Sequence, residues 1–103
     1  MALNFCRKRG CLSLAELVRD RWVLRIVEEM LLGAESYEIL LERLGIARNI
    51  LADRLKMMVA RGLIERRPNP EDMRTHSYFL TTKGHDLSPV VETLRHWLDR
   101  YGD

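Results

Sequence analysis

The chain has 103 residues, of which 47% are hydrophobic and 31% charged, and its net charge at pH 7 is +2. This length predicts one domain with a modest core, and a domain this small gains stability from self-association. No apolar run approaches the roughly 18 residues of a membrane span, and no apolar segment follows the basic residues 7–9 as in a signal peptide. We therefore expect a cytoplasmic protein with no membrane partner and with reduced thiols at Cys6 and Cys11.

The first half of the chain is patterned as a series of helices. A capping box formed by Ser13 and Glu16 predicts a short helix over about residues 12–20, behind a basic arm without periodicity. Apolar residues at three- and four-residue spacing predict two further helices, Arg21–Leu32 and Tyr37–Leu44. The expected boundaries of these two helices are the N-caps Asp20 and Ser36 and the terminal glycines Gly33 and Gly45.

A fourth helix, over about residues 47–61, has two faces of different chemistry. One face is apolar and is predicted to be buried: Ile50, Leu51, Leu55, Met58 and Val59. The other face is polar and basic: Arg48, Asn49, Ala52, Asp53, Lys56 and Ala60. Gly62 ends this helix. The short turn that precedes the helix, with Ile46 as an apolar plug, is typical of two crossed helices.

A β-hairpin is predicted directly after this helix. Its strands are Leu63–Arg67 and Arg74–Leu80, and its tip, Pro68–Met73, is too rich in proline to be regular ladder. A helix with a basic front beside an arginine-bearing hairpin fits the major groove of DNA and a flanking backbone or minor groove. The predicted fold is therefore mainly α-helical with one small hairpin, a winged helix-turn-helix.

The excess positive charge lies on this helix and hairpin. Residues 46–76 carry seven Lys/Arg and four Asp/Glu, whereas residues 1–45 are balanced and residues 77–103 have a net charge of −1. This distribution favours double-stranded DNA as a partner, with Arg48 pairing to guanine and Asn49 to adenine. The residues predicted to contact DNA are Arg48, Asn49, Asp53, Arg54, Lys56, Arg66, Arg67 and Arg74.

Other interpretations of these residues stay open. The polar helix face would also serve as ordinary solvated surface, and Asp53 either accepts from cytosine or holds Arg54 or Lys56 in place. Charges and prolines on the hairpin would also protect an exposed sheet edge from aggregation. The alternative function is a winged-helix module that binds protein, which the lack of aromatic residues on the outer helix face disfavours.

The last helix is predicted over about residues 82–101, with Thr81 as its cap and Pro89 as a kink. Its apolar stripe exceeds what the domain needs for its own core. We interpret the stripe, together with the first helix, as a two-fold dimer interface, the alternative being intramolecular packing. The predicted interface residues are Leu12, Leu17, Val90, Val91, Leu94, Trp97, Leu98 and Tyr101.

The remaining reactive side chains show no pattern of a catalytic or metal centre. The three histidines lack cluster spacing with the cysteines, which argues against a metal site. No nucleophile elbow, phosphate-binding loop or carboxylate pair is found, so we expect neither an enzyme nor a cofactor. Cys6 and Cys11 lie beside a basic run that would favour thiolates, so they are either a redox sensor or two ordinary thiols.

Four segments, in this order, resemble the HxlR-type winged helix family of bacterial transcription regulators. They are LAELVRDRW (14–22), SYEILLERLGIARNILADRLKMMVARGLIERR (36–67), YFLTTKGHDL (78–87) and PVVETLRHWLDRY (89–101). The resemblance implies a homodimer, paired through its first and last helices, that binds a palindromic operator. Such regulators often repress nearby genes and respond to small electrophiles, quinones, aldehydes or oxidants as effectors. The resemblance also implies groove contacts by Arg48, Asn49 and Lys56 and a wing contact by Arg74.

Two positions depart from the family pattern. The N-terminal cysteine that some members use as a sensor corresponds here to Arg9, with Cys6 and Cys11 on either side. Ala47 occupies a helix start at which serine or threonine is a common cap. Thiol sensing therefore does not follow directly from the resemblance.

Overall fold

The computed structural model describes residues 20–72 and 74–102, together with Leu17. In this part of the chain three helices precede a hairpin, and two helices follow it. They are α1 (Arg21–Leu31), α2 (Tyr37–Leu44), α3 (Arg48–Ala60), β1 (Ile64–Pro68), β2 (His76–Leu80), α4 (Thr82–His85) and α5 (Ser88–Tyr101). The mainly α-helical fold with one small hairpin is confirmed. The short helix predicted over residues 12–20 falls outside the described residues, apart from the helical Leu17 and from Asp20.

Side-chain caps determine where α1, α2 and α4 begin. Asp20 Oδ1 accepts a hydrogen bond from the Trp22 amide at 2.9 Å, and Ser36 Oγ accepts one from Ile39 at 3.1 Å. Thr81 Oγ1 likewise accepts from the Gly84 amide at 3.1 Å. Each bond satisfies an amide that the first helical turn leaves without a backbone partner. The predicted caps Asp20, Ser36 and Thr81 are therefore confirmed.

The core is formed by the apolar faces of the first three helices and the start of the hairpin. The buried apolar residues are Val23, Ile26, Val27, Met30, Ala34, Leu40, Leu44, Ile46, Leu51, Leu55, Met58, Leu63 and Ile64. Full burial of a large aliphatic side chain contributes about 1.5–3 kcal/mol, so this cluster anchors one face of each helix. Val59 is 38% exposed, contrary to the prediction, because it faces a groove beside the hairpin.

Besides its two strands, the hairpin pairs with a short extended segment that precedes α2. Strands β1 and β2 pair antiparallel, with Ile64 opposite Leu80. On the other edge of β2, Ser36 forms an isolated antiparallel bridge with Ser77. The Tyr78 amide donates to the Glu35 carbonyl oxygen at 2.7 Å. The segment before α2 therefore fixes the hairpin against the start of that helix.

The single kinked helix predicted over residues 82–101 is wrong. The chain forms two helices there, α4 and α5, with Asp86 and Leu87 between them. Pro89 lies in the first turn of α5, where its missing N–H removes no helical hydrogen bond. Proline here starts a helix instead of bending one. The Arg95 guanidinium, which donates to both oxygens of Glu28 at 2.8–3.1 Å, links α5 to α1.

Gly84 marks a close approach between α4 and the start of the hairpin. The Thr81 amide donates to the Leu63 carbonyl oxygen at 3.1 Å, which draws the two backbones together. A Cβ atom on Gly84 would overlap that same carbonyl oxygen. Only glycine therefore fits at this position without moving backbone.

We predict that Gly84→Ala lowers the free energy of unfolding by about 2–3 kcal/mol, because rotation of a side chain cannot relieve an overlap with backbone. Urea unfolding followed by circular dichroism, at one protein concentration, measures the change. Thr82→Ala, at an exposed position of the same helix, is the control and should differ from wild type by less than about 0.5 kcal/mol. Wild-type stability of Gly84→Ala would contradict the close approach.

Candidate nucleic-acid interface

Helix α3 presents one polar face to solvent along its length. The exposed residues on this face are Arg48, Asn49, Ala52, Asp53, Lys56 and Ala60. The opposite face is held in the core by Leu51, Leu55 and Met58. A helix with its side chains is about 10–12 Å wide and the major groove of B-form DNA is about 12 Å wide. The exposed face of α3 is therefore able to enter a major groove.

The start of α3 is held by helix α2 instead of a side-chain cap. Ala47 makes no capping hydrogen bond. The Tyr37 hydroxyl donates to the Arg48 carbonyl oxygen at 2.8 Å, and Arg48 Nη1 lies 3.3 Å from Glu38 Oε1. Both the backbone and the guanidinium of Arg48 are thus positioned by consecutive residues of α2.

Arg54 is placed differently from the other cations predicted to contact DNA. Its guanidinium pairs with Asp20, the N-cap of α1, and with Asp53 at 2.7 Å. The Arg54 side chain is only 29% exposed. This arrangement matches the interpretation in which Asp53 holds Arg54, and it ties α3 to the start of α1.

A groove of about 410 Å³ separates α3 from the hairpin. Its walls bring together Lys56 from α3 and Arg66 from β1, which lie ten residues apart in sequence. The groove is lined by Tyr37, Ala52, Leu55, Lys56, Val59, Arg66 and Tyr78. The two tyrosines are not among the residues predicted to contact DNA. Tyr37 shares the spacing of Leu40 and Leu44, which predicts a buried helix face, whereas the alternation of His76, Tyr78 and Leu80 along β2 was a signal for Tyr78.

Arg66 and Arg67 lie on opposite faces of the hairpin, because successive side chains of a strand point in opposite directions. Arg66 lines the groove, with its Nη2 3.1 Å from His76 Nε2. Arg67 donates two hydrogen bonds of 3.2 Å to Glu65, and its guanidinium carbon lies 4.3 Å from the Phe79 ring centroid. The hydrogen bonds from Arg67 lower the pKa of Glu65 and raise the pKa of Arg67. The adjacent arginines therefore do not form one cationic surface.

Local hydrogen bonds hold the described residues of the hairpin tip. Asn69 Oδ1 accepts from the Glu71 amide at 2.9 Å, and Asp72 Oδ1 accepts from the Arg74 amide at 3.0 Å. The Arg74 side chain is 92% exposed, and its Nε lies 3.4 Å from Asp72 Oδ1. Such side-chain-to-backbone bonds stabilise a turn without a sheet ladder. The tip thus presents Arg74 to solvent from a defined backbone.

Most of the residues predicted for a dimer interface lie exposed on α5. The exposed fractions are Val90 41%, Leu94 44%, Trp97 57%, Leu98 44% and Tyr101 63%. Val91 is half-buried and packs against the core, as does Leu17 from the preceding segment. Leu12 falls outside the described residues, as do Cys6 and Cys11. In the described ranges, the exposed apolar face of α5 is separate from the polar face of α3.

The described residues contain neither a metal-binding cluster nor a membrane-spanning helix. No group of three or more His, Cys, Asp or Glu side chains there could hold a metal ion. None of the helices in those ranges is long and apolar enough to cross a membrane.

Comparison with known proteins identifies relatives of this arrangement. An uncharacterized HTH-type transcriptional regulator of Mycobacterium tuberculosis is 41% identical over 86 residues, which are 84% of this chain and 54% of the relative. The chain thus spans about half the length of that relative. The crystal structure of PA1607, a protein proposed to be a transcription factor, has a TM-score of 0.80 and 30% identity. That match covers 91% of this chain and 68% of PA1607.

A second solved structure is a mutant of MarR from Escherichia coli in complex with operator DNA. It has a TM-score of 0.67 and 25% identity, over 78% of this chain and 58% of MarR. Residues 17–103 match the model of the family described as HxlR-like helix-turn-helix. The winged helix-turn-helix architecture and this match agree over nearly the whole chain. The protein belongs to the HxlR-like helix-turn-helix family.

Proposed function

We propose that this protein is a bacterial transcriptional regulator that binds a palindromic operator as a homodimer and represses the adjacent genes. The observation that carries the proposal is the groove between α3 and the hairpin, where Lys56 and Arg66 stand on facing elements. Two cations across a concave groove match the charge of a phosphate backbone that passes between helix and wing. The structural neighbour MarR was solved in complex with operator DNA, which supports duplex DNA as the partner.

The polar residues of the interface divide by their exposure and by what they contact in the protein. Arg48 and Asn49, in the first turn of α3, are exposed and would read base edges in the major groove. Arg74 would contact phosphate or enter the minor groove from the hairpin tip. Arg54 is only 29% exposed, and Arg67 is held against Glu65 and Phe79 on the hairpin face away from the groove, so these two would contribute to the positive field more than to direct contact.

The homodimer part of the proposal rests on α5. None of the residues of this helix is fully buried, and five large apolar side chains are between 41% and 63% exposed. The Trp97 and Tyr101 rings, 5.5 Å apart, would form the aromatic centre of an interface. Pairing of two copies through α5 would carry two α3 helices to half-sites about 34–36 Å apart or a multiple of that distance.

The effector part of the proposal is a response to small electrophiles or oxidants. It rests on the family resemblance and on the presence of Cys6 and Cys11 in the N-terminal arm. A thiolate beside a basic run is the group that an electrophile would attack.

The central experiment measures binding of the protein to fluorescent genomic duplex fragments over a range of salt concentrations. Contacts of Lys56, Arg66 and Arg74 with phosphates in each of two subunits would give a slope of log K against log salt of about −5. Sequencing of the retained fragments would identify the operator. If no duplex is retained even at low salt, the proposal fails and a protein-binding module remains.

We predict that Arg48→Ala relaxes base preference at one position of each half-site, at a cost of about 1–3 kcal/mol in discrimination. Arg74→Ala should instead weaken all sequences alike and lower the salt slope by about 1 for each subunit. Each variant removes one arginine, so each is the charge control for the other. Identical footprints and slopes for the two would refute this division of roles.

We predict that Leu94→Asp converts the homodimer to monomers, because the carboxylate would be buried without a partner in an apolar interface. Sedimentation velocity at micromolar concentration measures the change. His96→Asp is the control, since two residues along a helix point to nearly opposite sides and His96 is exposed. A dimer that survives Leu94→Asp, or a monomeric wild type, would exclude α5 as the interface.

A further inference from the structure

One carboxylate lies within the proposed DNA-contact surface and belongs to a different helix from the arginine that it pairs with. Glu38 is the second residue of α2, and its Oε1 is 3.3 Å from Arg48 Nη1. Both side chains are well exposed, at 70% for Glu38 and 67% for Arg48. Glu38 also lines a second groove, of about 330 Å³, whose opposite wall carries Arg74.

The pair contributes little to stability, because an exposed ion pair is screened by solvent. Its effect is on the placement of charge. Arg48 stands in the first turn of α3, where the helix dipole disfavours a cation, and Ala47 supplies no cap. Glu38 stands in the first turn of α2, where the dipole favours an anion. The Glu38 carboxylate of α2 therefore offsets the unfavourable effect of the Arg48 charge at the start of α3.

We infer that Glu38 is a specificity-determining residue, which positions the Arg48 guanidinium for base edges and penalises its contact with phosphate. The inference rests on the proposed function. A phosphate that approaches Arg48 is repelled by the Glu38 carboxylate, whereas the acceptors of a guanine edge carry no net charge. The repulsion therefore weakens random duplex more than an operator. The hydrogen bond from Tyr37 to the Arg48 carbonyl keeps the backbone at this position fixed.

The other ion pairs of this surface do not have the same geometry. Glu65 holds Arg67 on the hairpin face away from the groove, and Asp72 lies in the same tip as Arg74. Glu38 differs because it reaches from α2 to the first turn of α3, where base contacts are made.

The test compares Glu38→Gln with Glu42→Gln in the full chain. Glu42 is exposed one turn further along α2, and within the described ranges it has no ion pair or side-chain hydrogen bond. Both variants remove one negative charge from the same helix. Affinities are measured for a random-sequence duplex and for a duplex selected from a random pool by the wild-type protein.

We expect Glu38→Gln to tighten binding of the random duplex about two- to fivefold, with a smaller gain for the selected duplex. Its salt slope on random duplex should steepen by about 0.9 for each Arg48 that gains a phosphate. Glu42→Gln should change both affinities by one common factor. In an Arg48→Ala background, Glu38→Gln should behave like Glu42→Gln.

Glu38→Asp provides a second variant without a change in net charge. Its carboxylate is one methylene further from Arg48, so an intermediate gain on random duplex is expected. Equal effects of Glu38→Gln and Glu42→Gln, together with wild-type behaviour of Glu38→Asp, would overturn the inference. A wild-type protein that binds no duplex would instead mean that the proposed function has failed.

Discussion

The antiparallel pairing between the segment before α2 and strand β2 determines how the candidate site is assembled. The Tyr78 amide donates to the Glu35 carbonyl, and Ser36 bridges to Ser77. These contacts join the hairpin to the same residues that begin α2, while α2 in turn holds the start of α3 through Tyr37. One short extended segment therefore sets the position of both elements that border the groove. A hairpin connected only through its own strand ends would lack this second attachment.

Within that frame, the arginines of the surface differ mainly in their partners. Arg54 is held by Asp20 at the start of α1 and by its neighbour Asp53 on α3, and Arg67 is held by Glu65 and Phe79. Arg74 extends into solvent from the hairpin tip. Helix α3 and the hairpin thus carry a net positive charge, but only a few of their cations are free to reach DNA. The distribution of acidic partners, more than the number of arginines, would govern recognition.

The apolar residues of α5 divide in a similar way, between those that pack against the domain and those that lie exposed. Val91 packs against the core, and Arg95 links α5 to α1 through Glu28. The adjacent face of α5, from Val90 to Tyr101, remains exposed. The free energy gained by hydrophobic burial is roughly proportional to the apolar area removed from water. Burial of this face would therefore add stability that the single chain does not have. The two surfaces that the proposed regulator needs are therefore on separate elements.

The sequence by itself determined the helices α1 to α3, the side-chain caps of α1 and α2, the glycine stops, the hairpin and the polar face of α3. These features depend on local spacing and on hydrogen bonds between residues close in the chain. Tertiary structure decided the break before α5, the exposure of Val59, the opposite faces of Arg66 and Arg67, and the pairing of Glu38 with Arg48. Each of these depends on which distant residues the packed core brings together, and sequence spacing does not specify such partners.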